Sequence, residues 1–425
     1  MGGSCVELEA GERRLVLDVG LPLDTTDVPM RDLLPDVPGL WAEGDGSLEA
    51  VLLSHGHPDH CGLADLVSPG VRLLAGEATV RIAREASFFI RSGRELAVDG
   101  VLSDGQRLSI GPFAVTPVLV DHSAFDAYAL VVEADARRLI YSGDLRAHGR
   151  KPGAMSRLAA AALGAEVLLL EGTRVGADGR EPSTEADVEA RLVEICADTH
   201  GLVLAAASAQ NVDRLVSLFR AARRSGRELV VDLYAASILA ATERPTIPTA
   251  DSDGVRVFLP HVQRRQVVDA RAFERTAQVR DARVFAEELS EAPDRFLMLF
   301  RASMARDLER AGCLDGAELV WSMWSGYLDR DERLRSFLDA HSIPLRVAHS
   351  SGHAGPGDLR RFVDAVQPGR VVPMHTYDRR LAAASAPKSS FTATASGGRS
   401  SGTSRALRLP LDRPGHARVG RVLRL

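Results

Sequence analysis

The amino-acid sequence predicts an α/β protein assembled from two parts, and three observations predict it. Short apolar or alternating runs separated by turns fill the chain up to about residue 172. A strand-then-helix alternation begins near residue 183, and strand-then-loop patterning returns after about residue 345. Most runs of the first stretch stop at Gly, Asp or His, which expects polar side chains along one rim of a sheet.

Taken in order, "RRLVLDVG" (13 to 20), "AVLLSHG" (50 to 56), "VRLLAG" (71 to 76), "FAVTPVLV" (113 to 120), "AYALVVEA" (127 to 134), "RRLIYSGD" (137 to 144) and "AEVLLLEG" (165 to 172) read as strands. "TEADVEARLVEICADT" then reads as a helix opened by Ser183 or Thr184, with acidic residues in its first turn. Strands at 201 to 208, 228 to 234 and 295 to 300 alternate with helices at 212 to 226 and 235 to 242, the pattern of a parallel sheet. "GAELVWSMWSGYL", "PLRVAHSSGHAG" and "GRVVPMHTYD" are strand-then-loop segments. Residues 385 to 404, rich in Ser, Gly, Ala and Thr, are expected to be a flexible stretch.

At 425 residues and 45% hydrophobic, the chain can bury a sizeable core. No apolar run approaches the ~18 residues that span a bilayer, so no membrane association is expected and the cytoplasm is the default compartment. The cysteines Cys5, Cys61, Cys196 and Cys313 form no CxxC pair, which leaves histidine to carry any metal. A net charge of -5 argues against a protein dedicated to coating nucleic acid.

"LLSHGHPDHCG" places His55, His57, Asp59 and His60 within six positions at the end of an apolar run. His55 and His57 point the same way if the loop is extended, and Pro58 turns the chain so that Asp59 and His60 point elsewhere. One loop can thus feed two metals. The competing reading is a surface loop that happens to be rich in histidine. Further donors stand at the ends of strand-like runs: His122 in "VLVDHSAFD", Asp144 in "LIYSGDLRAHGR" and His375 in "VVPMHTYD".

With these residues, in order from Asp18 in "LVLDVG" to His375, the chain resembles the metallo-β-lactamase superfamily. The resemblance implies an αββα sandwich holding two zinc ions, with manganese as the alternative. It assigns His55, His57 and His122 to one metal, Asp59, His60 and His375 to the other, Asp144 as the bridge, and Asp18 as support for the histidine loop. The block between "LLLEGTR" and "HSSGHAG" is similar to the insertion of the β-CASP nucleases. On that likeness Glu171 and His353 match the group's first two motifs and His375 its third, where a histidine accompanies RNA processing. The implied partner is single-stranded RNA, the implied reaction phosphodiester hydrolysis, and the order of motifs is closest to ribonuclease J-like proteins. The expected division is 1 to 180 and 346 to 425 for the metal-binding domain and 181 to 345 for an inserted α/β β-CASP domain.

"HSSGHAGPGDLRRFV" reads as an anion cradle ahead of a helix starting near Asp358, in which Ser350, Ser351, Gly352 and His353 would hold a substrate phosphate. His353 would assist the leaving group, Asp59 would orient the nucleophile and Glu171 a neighbouring ligand. His349 has a structural hydrogen bond as its competing role. Arg214, Arg220, Arg223, Arg224 and Arg227 read either as an RNA path or as a solvated helix face. Trp321, Trp324 and Tyr327 read either as base-stacking groups or as core, and Arg146 and His148 either touch substrate or do not. Two departures from the family stand out: "MGGSCVEL" reads as a truncated start or shortened sheet edge, and no C-terminal assembly domain is expected, which leaves monomer or homodimer open. The rival functions are a hydrolase of a small phosphodiester, lactone or thioester, and a non-enzymatic subunit.

Overall fold

The computed structural model describes residues 3–22, 28–90, 95–176 and 182–376 and the backbone of 421–424. The expected flexible stretch at 385 to 404 lies outside the described residues. The strands are β1 Val6–Ala10, β2 Arg13–Leu17, β3 Leu48–Leu52, β4 Arg72–Gly76, β5 Gly100–Leu102, β6 Leu108–Ile110, β7 Phe113–Leu119, β8 Tyr128–Ala134, β9 Arg137–Tyr141, β10 Val167–Glu171, β11 Val203–Ala206, β12 Glu228–Asp232, β13 Val255–Phe258, β14 Phe296–Phe300, β15 Glu318–Trp321, β16 Leu345–Val347, β17 Arg370–Met374 and β18 Arg421–Arg424.

They form three sheets, in the orders β18-β1-β2-β3-β4-β5, β17-β10-β9-β8-β7-β6 and β13-β12-β14-β11-β15-β16. Because strand side chains alternate, central strands of the first two sheets serve two cores. In β2, Leu15 and Leu17 face the core shared with Val115, Leu130 and Leu139 of the second sheet, while Val16 faces outward into a separate cluster. That outer cluster contains Val80 and Ala83 of the helix Glu77–Phe89. On the second sheet's outer face, Val131, Ile140 and Leu168 pack on Leu158 and Phe362 of the helices Ala154–Ala162 and Pro356–Val366. The layers are αββα.

The third sheet is all parallel. Both its faces are covered, which explains why "FLMLF" of β14 is apolar throughout: Phe296, Met298 and Phe300 enter one core, Leu297 and Leu299 the other. It is an insertion in the topological sense. The chain leaves the second sheet after β10 and returns as β17, β10's parallel neighbour, with all six strands of the third sheet in between. The last of these, β16, runs across the expected boundary at 345/346.

Helix Glu77–Phe89 was not legible as a helix in the sequence, because β4 passes into it directly through Gly76. It ties the two parts together. Ile82 and Ala86 are buried in the inserted part's core, and Arg81 Nε donates to the Ala241 carbonyl at 2.9 Å.

The arginines on and just past helix Val212–Arg224 do not form a stripe: Arg214 is buried against Glu185 and the Ser322 and Ser350 carbonyls and Arg227 among carbonyls, while Arg220 and Arg224 pair with Glu189. Trp321 is core, whereas Trp324 and Tyr327 are 56% and 55% exposed.

Leu130 lies fully buried between the first two sheets. Leu130→Ala should cost about 2–5 kcal/mol of stability, read as a lower urea midpoint at unchanged m-value.

Candidate metal centre

The histidine loop begins where β3 ends. His57 is still extended (φ -74°, ψ 145°), Pro58 occupies the first position of a single helical turn Pro58–Cys61, and Asp59 and His60 lie inside that turn. His55 and His57 therefore leave the chain before the bend and Asp59 and His60 within it. His122 follows β7, Asp144 follows β9, and His375 follows β17.

These side chains converge. The ligand atoms of His55, His57, His122 and Asp144 lie within 4.8 Å of one another, as do those of Asp59, His60 and His375, and those of Asp144, His353 and His375. Asp144 stands at the middle: its Oδ2 is 3.8 Å from His55 Nε2, 3.2 Å from His60 Nε2 and 3.9 Å from His122 Nε2, and its Oδ1 is 3.5 Å from His375 Nδ1. Close approach of the Asp144 turn depends on Gly143 (φ +54°), whose absent Cβ would press on the Tyr128 carbonyl and Ser54.

Neighbouring residues fix which nitrogen each ring offers. Asp18 is held at φ +61°, a left-handed conformation unusual for a non-glycine residue. Its Oδ1 accepts from Ser54 N–H at 2.6 Å, and its Oδ2 from Ser54 Oγ at 2.7 Å, Tyr141 OH at 2.6 Å and His60 Nδ1 at 2.7 Å. With its proton given to Asp18, Ser54 Oγ can only accept from His55 Nδ1, 3.0 Å away. His122 Nδ1 donates to the Gly352 carbonyl at 2.6 Å. In His55 and His122 the proton thus sits on Nδ1 and Nε2 turns its lone pair to the centre. His60 gives its Nδ1 proton to Asp18 and points Nε2 at Asp144, and against the effect of burial these two carboxylates raise its pKa. Sequence reasoning missed Ser54, Tyr141 and Thr173, whose Oγ1 lies 3.0 Å from His375 Nδ1. Their only local signal is adjacency to a candidate ligand strand.

The electrostatics fit a cationic occupant. His55 Nε2, His60 Nε2, both Asp144 oxygens, His353 Nδ1 and His375 Nε2 are buried without completing a hydrogen bond, an arrangement that costs free energy unless a cation fills it. Burial, with the neighbouring His60 charge, holds His55 far below the ordinary histidine pKa; burial does the same to His122 and lowers His57. They stay neutral, as ligation requires. Burial opposes charge on Asp59 and Asp144, but the His375 ring 3.0 Å from Asp59 and the His60 and His375 rings beside Asp144 outweigh it and keep both ionised. The residues present fit metal ions held by nitrogen and oxygen donors.

His353 lies on the open side, 3.7 Å from both Asp144 Oδ2 and Glu171 Oε2. Burial alone would lower its pKa, yet those carboxylates raise it to about 9. Glu171 accepts from Thr173 N–H at 2.9 Å and Ala354 N–H at 3.2 Å, which ties the His353 loop to the end of β10. Ser350 differs from its expected role as a phosphate contact: it is buried, and its hydroxyl donates to the Ser183 carbonyl at 2.6 Å. His349 stays outside the cluster, its pKa pushed down to about 4 by burial and by Arg214.

Asp18→Asn removes a charge that two ring protons rely on, directly or through Ser54. It should weaken metal binding about 10–100-fold, measured with added zinc by competition with a chromophoric chelator.

Comparison with known proteins places this geometry. A family described as a β-lactamase superfamily domain matches residues 24–213. The ribonuclease J of Mycobacterium tuberculosis (strain ATCC 25618 / H37Rv) is 28% identical over 393 residues, covering 87% of this chain and 66% of its own length. That of Sinorhizobium meliloti (strain Sm2011 / Rm2011 / 2011) is 25% identical over 391 residues, covering 85% and 63%. This chain therefore spans somewhat under two thirds of the length of these curated relatives. A solved structure of a protein of unknown function from Enterococcus faecalis V583 shares the fold with a TM-score of 0.70 at 21% identity, over 88% of this chain and 91% of that one. On its fold, its metal-donor cluster and these matches, the chain is similar to the metallo-β-lactamase superfamily and distantly homologous to ribonuclease J.

Proposed function

We propose that this metallo-β-lactamase-fold hydrolase cleaves phosphodiester bonds of single-stranded RNA. The observation that carries the reading is the Ser351–Gly352–His353 turn seated directly against the metal-donor cluster, with His122 bonded to Gly352 and His353 beside Asp144. The likeness to ribonuclease J over 87% of the chain supports the same substrate. In this reading residues 181 to 345 are a unit inserted beside the site.

His55, His57 and His122 would hold one zinc ion and Asp59, His60 and His375 the other, with Asp144 between them. Two such ions, when bound, polarise a phosphate and activate water. Asp59, kept ionised by His375, accepts a proton from the attacking water and orients it. His353, protonated between Asp144 and Glu171, donates to the leaving oxygen. Glu171 holds that ring in place through Ala354.

The test is a 5′-monophosphorylated single-stranded RNA labelled at either end, incubated with metal-loaded protein and with Asp59→Ala/His60→Ala. Cleavage should be lost in the double variant, and the label pattern separates stepwise release from internal cuts. Hydrolysis of bis-p-nitrophenyl phosphate with every RNA left intact would replace RNA by a small ester as the substrate. His353→Ala should lower kcat by about 10²–10⁴-fold at unchanged metal content, measured on the same RNA.

A further inference from the structure

Three successive carbonyls of the loop before helix Pro356–Val366 are each held by a side chain. Arg214 Nη2 donates to Ser350 O at 3.1 Å. Arg146 Nη1 at 3.1 Å and His148 Nε2 at 2.9 Å donate to Ser351 O. His122 Nδ1 donates to Gly352 O. In a trans peptide the C=O of one residue points opposite the N–H of the next. The Ser351 and Gly352 N–H groups are thus turned away from these donors, and neither donates a hydrogen bond among the described residues. The turn needs a glycine at 352, since a Cβ there would collide with Ser123 Oγ and touch His122.

The donors are themselves immobilised. Arg146, 1% exposed, binds Asp121 at 2.8 Å, Asp213 at 2.6 Å and Glu185 at 3.3 Å, and Arg214 binds Glu185 at 3.0 Å. Lys151 Nζ lies 3.9 Å from Asp213, so three cations face three carboxylates. Asp121 precedes the candidate ligand His122, and Glu185, Asp213 and Arg214 come from the first helices after β10.

We propose that Arg146, His148 and Arg214 are positioning residues: by pulling in the carbonyls of Ser350 and Ser351 they present the Ser351 and Gly352 N–H groups as a phosphate-binding nest beside His353. The inference rests on the phosphodiesterase reading of the same site. The inserted segment then contributes to substrate binding through Glu185, Asp213 and Arg214 without touching substrate itself.

The experiment uses metal-loaded full chain and the variants His148→Phe, which removes the donor, His148→Gln, which keeps one, and Arg146→Lys, which retains the buried charge. In the unaltered protein, inorganic phosphate should slow amide exchange in peptides spanning residues 349 to 354. His148→Phe and Arg146→Lys should lose that slowing and His148→Gln should keep it. With RNA, KM should rise about tenfold in His148→Phe, kcat should change less, and His148→Gln should restore KM. A uniformly structural role would not separate Phe from Gln at equal unfolding midpoints. Phosphate slowing that is equal in all four proteins, or absent from all four, overturns the proposal. Slowing that follows the expected pattern in a protein that cleaves no RNA removes the ribonuclease reading and leaves the positioning roles standing.

Discussion

The carboxylate of Asp18 is the constraint on which the metal centre depends. Four donors converge on it, from Ser54, Tyr141 and His60, and all the groups involved are buried. An ionised carboxylate is costly in such surroundings unless its lone pairs are filled, and here Ser54 and His60, which help fill them, each have a second task. Ser54 passes the constraint on to His55, and His60 is held by its Nδ1 so that Nε2 faces Asp144. The unusual backbone conformation of Asp18 persists because these bonds over-determine it. His375, at φ +50°, occupies the same sparsely populated region on the opposite side of the centre, where Thr173 holds it.

A second buried electrostatic assembly joins the sandwich to the inserted segment. Arg146 and Arg214 are among the largest fully buried side chains of the described residues. Removing one member of such an assembly strands the others as uncompensated charges, so it is a rigid joint even where its net contribution to stability is small. Glu185 shows the balance: burial raises its pKa, yet Arg214 and Arg146 bring it down to about 2. Its contribution to stability is therefore complete above the ordinary glutamate value of about 4.5 and is lost as pH falls toward about 2. Around this joint Asp121, Ser350 and Ser351 are held together, and these flank His122 and His353. Metal-donor loop and anion loop thus share one scaffold.

Much of the fold was legible because its signals are local. The "FLMLF" run announces a strand buried on both faces, and "TEADVEARLVEICADT" carries its own cap, observed as a Thr184–Asp187 capping box. The helix Glu77–Phe89 and the short strands β1, β5, β6 and β13 were not legible, since each is defined by what it packs on rather than by its own pattern. The exposed pair Trp324 and Tyr327 and the buried Trp321 look alike in sequence. Only β15's neighbours separate them.

What the amino-acid sequence determined by itself is the chemistry of the centre: His-x-His-x-Asp-His, His122, Asp144 and His375 are nitrogen and oxygen donors set at strand ends, and spacing alone divides them around Pro58. What only the tertiary structure decided is the set of partners that orient them. Tyr141 reaches Asp18 across 123 residues, Arg214 reaches Ser350 across 136, and Ser350 turns its hydroxyl to Ser183 rather than outward. The reason is physical. A donor's identity is a property of one residue, but its direction is set by hydrogen bonds to groups that only the packed sheets bring within reach.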